Sequence, residues 1–217
     1  VKAGILLSGC GLGDGTQIEE VMLTYLSLDK YGIDYITFAP NEMQHDVIDH
    51  YTEKPQNEKR NILIESARIG RGKICDIREV SCKDIDAIII PGGLGVFKNL
   101  STFIVDKKSF TVNKNVDDLL KAMYLSKKSI AGICGAVILI AKSLSQHVSD
   151  LKVATANDAY GELLSELNVN AVNCSAKECV IDRKNKVVTT PAFLASKKMD
   201  EIMVGIDRMV KALQELG

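Results

Sequence analysis

Ile130-Ala131-Gly132-Ile133-Cys134-Gly135-Ala136 is the stretch on which the reading of this chain turns. Residues 129–133 form a short apolar run that reads as a buried strand, and residues 135–144 carry apolar side chains at helical spacing. A single cysteine therefore sits where a strand hands over to a helix, with small residues around it. This is the layout of a nucleophile elbow, whose tight turn strains the nucleophile's backbone and admits only small neighbours. The helix N-terminus favours a thiolate, so the sequence predicts a lowered pKa for Cys134. The Gly135 N–H is expected to point where an oxyanion develops. A buried structural cysteine is the competing reading, and spacing alone does not separate the two.

Working outward, strand and helix alternate almost throughout. Strands are expected at 4–8, 34–39, 85–90, 129–133 and 152–156, and a hairpin at 178–182 and 186–190. Helices are expected from Thr16 to near Gly32, at 61–70, from a Thr111 cap through Met123, at 135–144, at 159–167 and at 198–216. Residues 40–60 read as polar and irregular. The alternation predicts an α/β fold with a mostly parallel sheet covered on both faces, in one domain spanning 1–217. In such sheets ligands bind outside the carboxyl ends of the strands. Three loops there are chemically unusual: those after Ser8, Ile90 and Ile133.

The loop after Ile90, Pro91-Gly92-Gly93-Leu94-Gly95, can turn its N–H groups toward an anion and complete an oxyanion hole with the Cys134 elbow. Glu19 and Glu20 open the first helix, and one of them is a candidate general acid or base. With Ile18, Val21, Met22 and Tyr25 as the apolar arc, a helical wheel favours Glu19 as the buried one. Gly9-Cys10-Gly11-Leu12-Gly13 fails as a dinucleotide fingerprint, because the third glycine position holds Asp14 or Thr16. Cys10 is a candidate second thiol near Cys134. His45, His50 and His147 are the only histidines; none has zinc-motif spacing, and only the fold could bring His147 to Cys134.

Composition sets the outer bounds. The 217 residues are 46% hydrophobic and 25% charged, which excludes disorder and collagen. A net charge of −1 supplies no basic excess for nucleic acid. No apolar run is long enough for a membrane span. The six cysteines form no CxxC pair, and no secretory signal is evident; reduced thiols and a cytoplasmic location are expected.

These motifs together resemble the PfpI and Parkinson-associated deglycase group of the class I glutamine amidotransferase-like superfamily. A closer resemblance is to the ElbB family, the isoprenoid-biosynthesis glyoxalases. It is carried by Leu7-Ser8-Gly9-Cys10-Gly11 with Asp14-Gly15, Phe38-Ala39-Pro40, Arg60 to Glu65, Ala67-Arg68-Ile69, Arg71-Gly72, Pro91 to Gly95 with Lys98-Asn99-Leu100, and Val188 to Ala192. The resemblance covers nearly the whole chain. It implies a flavodoxin-like three-layer sandwich with the cysteine on the elbow. It also implies that the motif glutamate, twelve residues before the helix-ending Gly32, is Glu20, against the wheel.

One departure matters. Relatives that are proteases or amidotransferases pair the cysteine with a histidine, whereas here Gly135 follows Cys134 and Ala154-Thr155-Ala156-Asn157-Asp158 holds none. The implied activity is a glyoxalase that needs neither glutathione, metal nor organic cofactor. Cys134 attacks a small 2-oxoaldehyde, Glu20 moves the proton, and the amides of Gly92, Gly93 and Gly135 bind the oxyanion or substrate. A redox or stress sensor without turnover and an amidotransferase-like accessory protein of isoprenoid metabolism are the alternatives. The expected partner is a small aldehyde, with no nucleic acid and no membrane, and the expected assembly is a homodimer.

Overall fold

The computed structural model describes residues 1–217. Along the chain run β1 (Lys2–Leu6), α1 (Ile18–Lys30), β2 (Asp34–Ala39), β3 (Ile48–Asp49), β4 (Lys54–Pro55), α2 (Ile62–Ser66), β5 (Cys75–Asp76) and β6 (Ala87–Ile90). They are followed by α3 (Gly95–Lys98), α4 (Phe103–Asp106), α5 (Lys114–Leu125), β7 (Ser129–Ile133), α6 (Val137–Leu144) and β8 (Lys152–Thr155). Then come α7 (Gly161–Glu166), β9 (Asn170–Asn173), β10 (Val180–Asp182), β11 (Val187–Thr190) and α8 (Met199–Leu216).

Seven strands form the central sheet in the order β10-β11-β7-β6-β1-β2-β5, parallel except for the edge strand β10. Side chains alternate between its two faces, as the pleat requires. Ile88, Ile90 and Ile130 enter one core with Val116, Leu120, Ile138 and Leu139 of α5 and α6. Ile5, Ile89, Ala131 and Ile133 enter the other with Val21 and Leu28 of α1 and Ile206, Met209 and Val210 of α8. This is the expected three-layer α/β sandwich. From β1 the chain moves outward to β2 and β5, then returns to the other side of β1 as β6. That reversal makes a crevice at the carboxyl ends of β1 and β6, beside the end of β7.

Several local expectations are corrected. The strand near 152 lies outside the main sheet: β8 pairs in parallel with β9. Side-chain oxygens tie it to the neighbouring strands, with the Ala154 N–H donating to Thr189 Oγ1 at 2.7 Å and the Lys152 N–H to Asp182 Oδ2 at 2.9 Å. The helix expected at 61–70 is only Ile62–Ser66, started by the Asn61 side chain accepting from the Ile64 N–H. Asn113, not Thr111, caps α5. The segment expected to be irregular holds the small antiparallel β3–β4 hairpin.

On α1 the buried face is Glu20, Val21, Thr24, Ser27 and Leu28, while Ile18, Met22 and Leu26 are exposed. The wheel is off because Thr24 and Ser27 share the buried face with Val21 and Leu28, which turns that face toward Glu20 and leaves Ile18, Met22 and Leu26 outside. No helix is long and apolar enough to cross a membrane.

Candidate active site

Cys134 stands at the end of β7 with φ of +56°, a left-handed conformation that costs a non-glycine residue about 1–3 kcal/mol. Close packing on both sides holds it there. A Cβ at Gly132 would come within 2.6 Å of Ile140 Cδ1, and one at Gly135 would overlap the ring of Phe97. The chain then makes one tight turn over Cys134–Ala136 before α6 begins.

Glu20, from the first turn of α1, is completely buried beside this thiol, whereas Glu19 is exposed. The Gly92 N–H donates to Glu20 Oε2 at 2.6 Å. Oε1 is buried with no fixed hydrogen bond. A Cβ at Gly92 would lie 2.8 Å from Cys134 Cβ and 2.9 Å from Glu20 Oε2, so only glycine lets the three groups meet. The Gly92 amide is therefore committed to the carboxylate. This corrects its expected place among the oxyanion donors.

Gly93, at φ of +104°, has no protein acceptor for its N–H. The backbone N–H groups of Gly135 and Leu194 lie near the sulfur and act on its ionisation, although the Leu194 N–H donates to the Pro191 carbonyl at 3.0 Å.

Burial pushes the Glu20 carboxyl up to about 8, with the Gly92 N–H and the neighbouring Cys134 thiol acting the other way. Burial, and then the negative charge of Glu20, push the Cys134 thiol well above its usual value, although the two N–H groups act the other way. The expected lowered thiol pKa is thus corrected. Desolvation beside a carboxyl outweighs the N–H groups at the start of a helix. Two negative charges do not fit in this space, so the pair keeps at least one proton between them at neutral pH.

Two residues reach the site only through the fold. The Tyr160 phenol is pushed up to about 12 by burial and by the nearby Cys134 charge. Its ring packs on Phe97 with centroids 5.8 Å apart. Leu194 comes from the turn after β11, which Asn157 Nδ2 braces by donating to the Leu194 carbonyl at 2.9 Å. Pro191, ending a strand at the carboxyl edge of the sheet, was the available signal for that turn; nothing in sequence marked Tyr160.

No histidine joins the thiol: His147 is exposed past the far end of α6, His45 is exposed, and His50 Nε2 accepts from the Gly13 N–H at 3.1 Å. Cys10 belongs to the loop after β1, and its charged neighbours are Arg68, Glu65 and Asp14. That loop is tied to the Gly93 loop. The Leu94 N–H donates to the Leu12 carbonyl at 2.9 Å, and Asn99 Nδ2 donates to the carbonyls of Ser8 and Asp14, each at 2.8 Å. No cluster of three or more His, Cys, Asp or Glu side chains is arranged to hold a metal ion.

The profile of the DJ-1/PfpI family matches residues 12–201. This chain belongs to the DJ-1/PfpI family. The mitochondrial ES1 protein homolog of Rattus norvegicus is 41% identical to this chain over 224 aligned residues, covering 99% of this chain and 84% of that protein. The Homo sapiens glutamine amidotransferase-like class 1 domain-containing protein 3, also mitochondrial, is 41% identical, covering 99% of this chain and 83% of its own. A solved isoprenoid biosynthesis protein with amidotransferase-like domain from Ehrlichia chaffeensis is similar with a TM-score of 0.93 and 30% identity, covering 100% of this chain and 99% of that one. The mitochondrial relatives overturn the cytoplasmic expectation. Free thiols report a reducing environment and do not say which compartment supplies it.

Proposed function

We propose that this DJ-1/PfpI protein is a glyoxalase-type enzyme of the ElbB kind, converting small 2-oxoaldehydes to 2-hydroxy acids without glutathione. The observation that carries this reading is the buried Glu20 carboxyl, with one oxygen anchored by Gly92 and the other unengaged beside Cys134. The thiol adds to the aldehyde carbon, and its proton passes through Glu20 to the new oxygen, giving a hemithioacetal. Glu20 then removes the proton on that carbon and returns it to the adjacent ketone carbon through an enediol. The product is a thioester of the 2-hydroxy acid, which water cleaves to release the acid and restore the thiol. The N–H groups of Gly93 and Gly135 face the oxyanion in these steps. The relatives support a mitochondrial setting, and the Ehrlichia protein supports a connection with isoprenoid metabolism.

The test follows methylglyoxal in D₂O by NMR, without added glutathione or metal. Lactate is expected that keeps at C2 the hydrogen from the substrate's aldehyde carbon, because Glu20 returns that proton rather than exchanging it with solvent. Cys134→Ser should abolish its formation, and Glu20→Gln should lower the rate by about 10²–10⁴-fold. Wild-type turnover by Cys134→Ser refutes the mechanism. An inert wild-type protein moves the redox-sensor reading ahead.

A further inference from the structure

A cavity of about 700 Å³ lies away from Cys134. It opens at the other side of the sheet, where β2 and β5 separate. Pairing between them is confined to Phe38↔Cys75 and Ala39↔Asp76. Upstream, the outer edge of β2 from Asp34 to Thr37 has no strand partner, and Ile69, Gly70, Arg71, Lys73 and Ile74 line the gap beside it. The Leu7 N–H donates to the Phe38 carbonyl on the inner side. By alternation, the backbone groups of Tyr35 and Thr37 face outward into the gap.

The cavity has two chemically distinct parts. Ile36, Ile69 and Ile74 give it an apolar floor. Met22 and a stacked pair, Tyr25 and Tyr35, form one wall, with ring centroids 5.0 Å apart and an interplanar angle of 14°. Inside, Tyr25 Oη and Thr37 Oγ1 share a hydrogen bond at 3.1 Å. At the rim stand Arg71 and Lys73, both exposed. Neighbouring arginines are neutralised, Arg68 by Glu65 and Arg78 by Asp76, but Arg71 and Lys73 form no ion pair. No Asp or Glu lines the cavity. The carboxylates acting on its walls from outside are Asp29 on Tyr35, and Glu79, Asp76 and Asp84 on Cys75.

We propose that this cavity is a second ligand site, separate from the thiol, that takes a small amphiphilic anion: an apolar, preferably aromatic body seated against Tyr25, Tyr35 and the isoleucines, with a carboxylate or similar acidic group at Arg71 and Lys73. The volume is that of a small-molecule site, which typically spans about 300–1,000 Å³. Two unpaired cations beside an apolar hollow lined by no carboxylate supply the charge complementarity. An extended peptide fits less well, because charged side chains across an exposed edge are a device that opposes strand addition. Strands β6 and β1 lie between this edge and the Cys134 strand, so occupancy does not depend on the chemistry proposed for the thiol.

The experiment is isothermal titration of the whole chain with naphthalene-2-carboxylate and with the neutral naphthalene-2-carboxamide, which has the same apolar body. One-to-one binding of the carboxylate is expected, at least about fivefold tighter than the amide. Replacing both cations (Arg71→Ala with Lys73→Ala) should weaken the carboxylate about tenfold and leave the amide within about twofold. Both substitutions are on exposed positions, and circular dichroism checks that the fold is kept. Met22→Trp, at an exposed helix position, should fill the hollow and block both ligands. The proposal is overturned if wild type shows no saturable binding at millimolar carboxylate. It is equally overturned if amide and carboxylate bind alike, if removing the cations changes nothing, or if Met22→Trp binds as wild type does.

Discussion

Replacing Glu20 by glutamine should change how the stability of this protein depends on pH. The carboxyl is fully buried and its folded-state pKa is pushed to about 8, from 4.5 in the unfolded chain. Below pH 4.5 both states are protonated and the group gives the folded state its full contribution. Between 4.5 and 8 only the unfolded chain ionises, so stability is lost as pH rises through this window, and the loss levels off above it. At about 1.4 kcal/mol per pH unit, the total is of order 5 kcal/mol. Glutamine has the same shape, can accept from the Gly92 N–H, and does not titrate. Urea unfolding of both proteins from pH 4.5 to 8.5 should therefore show a wild-type curve that falls while the variant's stays nearly level, once shared contributions are subtracted. The variant should be the more stable protein at pH 8. In thermal melts the gap is about 2–4 °C per kcal/mol for a chain of this length. Parallel pH curves would show that the carboxyl is not held protonated by burial and would refute the account of the thiol–carboxyl pair.

The remaining expectations are briefer. Alkylation of Cys134 by iodoacetamide, followed by peptide mass mapping, should begin only at a pH above that of an ordinary thiol, and Glu20→Gln should move its onset downward by removing the neighbouring charge; an unmoved or upward onset contradicts this. Gly92→Ala places a methyl group 2.8 Å from Cys134 Cβ and should cost about 1–3 kcal/mol of stability and roughly 10²-fold in any Cys134-dependent turnover; denaturation and rate measurements at full wild-type values would contradict it. Asn99→Ala leaves the Ser8 and Asp14 carbonyls without their donor and should cost about 1–3 kcal/mol in urea melts. Ammonia release from glutamine should be absent, since no histidine accompanies the thiol; Cys134-dependent release would refute this.

The fold was legible where residue type and spacing act locally. The elbow needs glycine on both sides of Cys134 because Ile140 and Phe97 occupy the space a side chain would take, and such requirements are visible in sequence. The alternation of apolar strands and helices gave the layers for the same reason. The wheel on α1 failed because burial there is set by close approach to the sheet and α8, which Thr24 and Ser27 permit and which leaves Met22 and Leu26 outside. Only the register of the family resemblance singled out Glu20. Strand β9 is not legible because Asn170 and Asn173 flank its two apolar residues, and the place of β8 outside the main sheet is not legible because side-chain bonds from Thr189 and Asp182 cannot be read along the chain. Tyr160 and Leu194 meet Cys134 from distant segments, so no spacing could announce them. The direction of the thiol's pKa is not legible because sequence shows the helix start but not how deeply the sulfur is desolvated.

The same desolvation narrows what the pair can do. A cysteine that transfers acyl groups needs a partner that takes its proton and then protonates a departing amine, a task histidine performs in triads. Here the sulfur's ionisable partner is a carboxyl with one oxygen tied to Gly92 and one unengaged. Such a group can hold one proton and hand it back a short distance away. Moving a proton between adjacent carbons asks for that and for nothing more, provided an oxyanion is met by N–H donors. With the Gly92 amide already engaged, the donors left for that proposed role are Gly93, whose N–H has no other acceptor, and Gly135 beside the sulfur. A pKa of about 8 further suits a carboxyl that must act as both acid and base near neutral pH. In the proposed reaction, the burial that makes Cys134 a poor free thiolate keeps the shared proton in the site until a carbonyl arrives to take it.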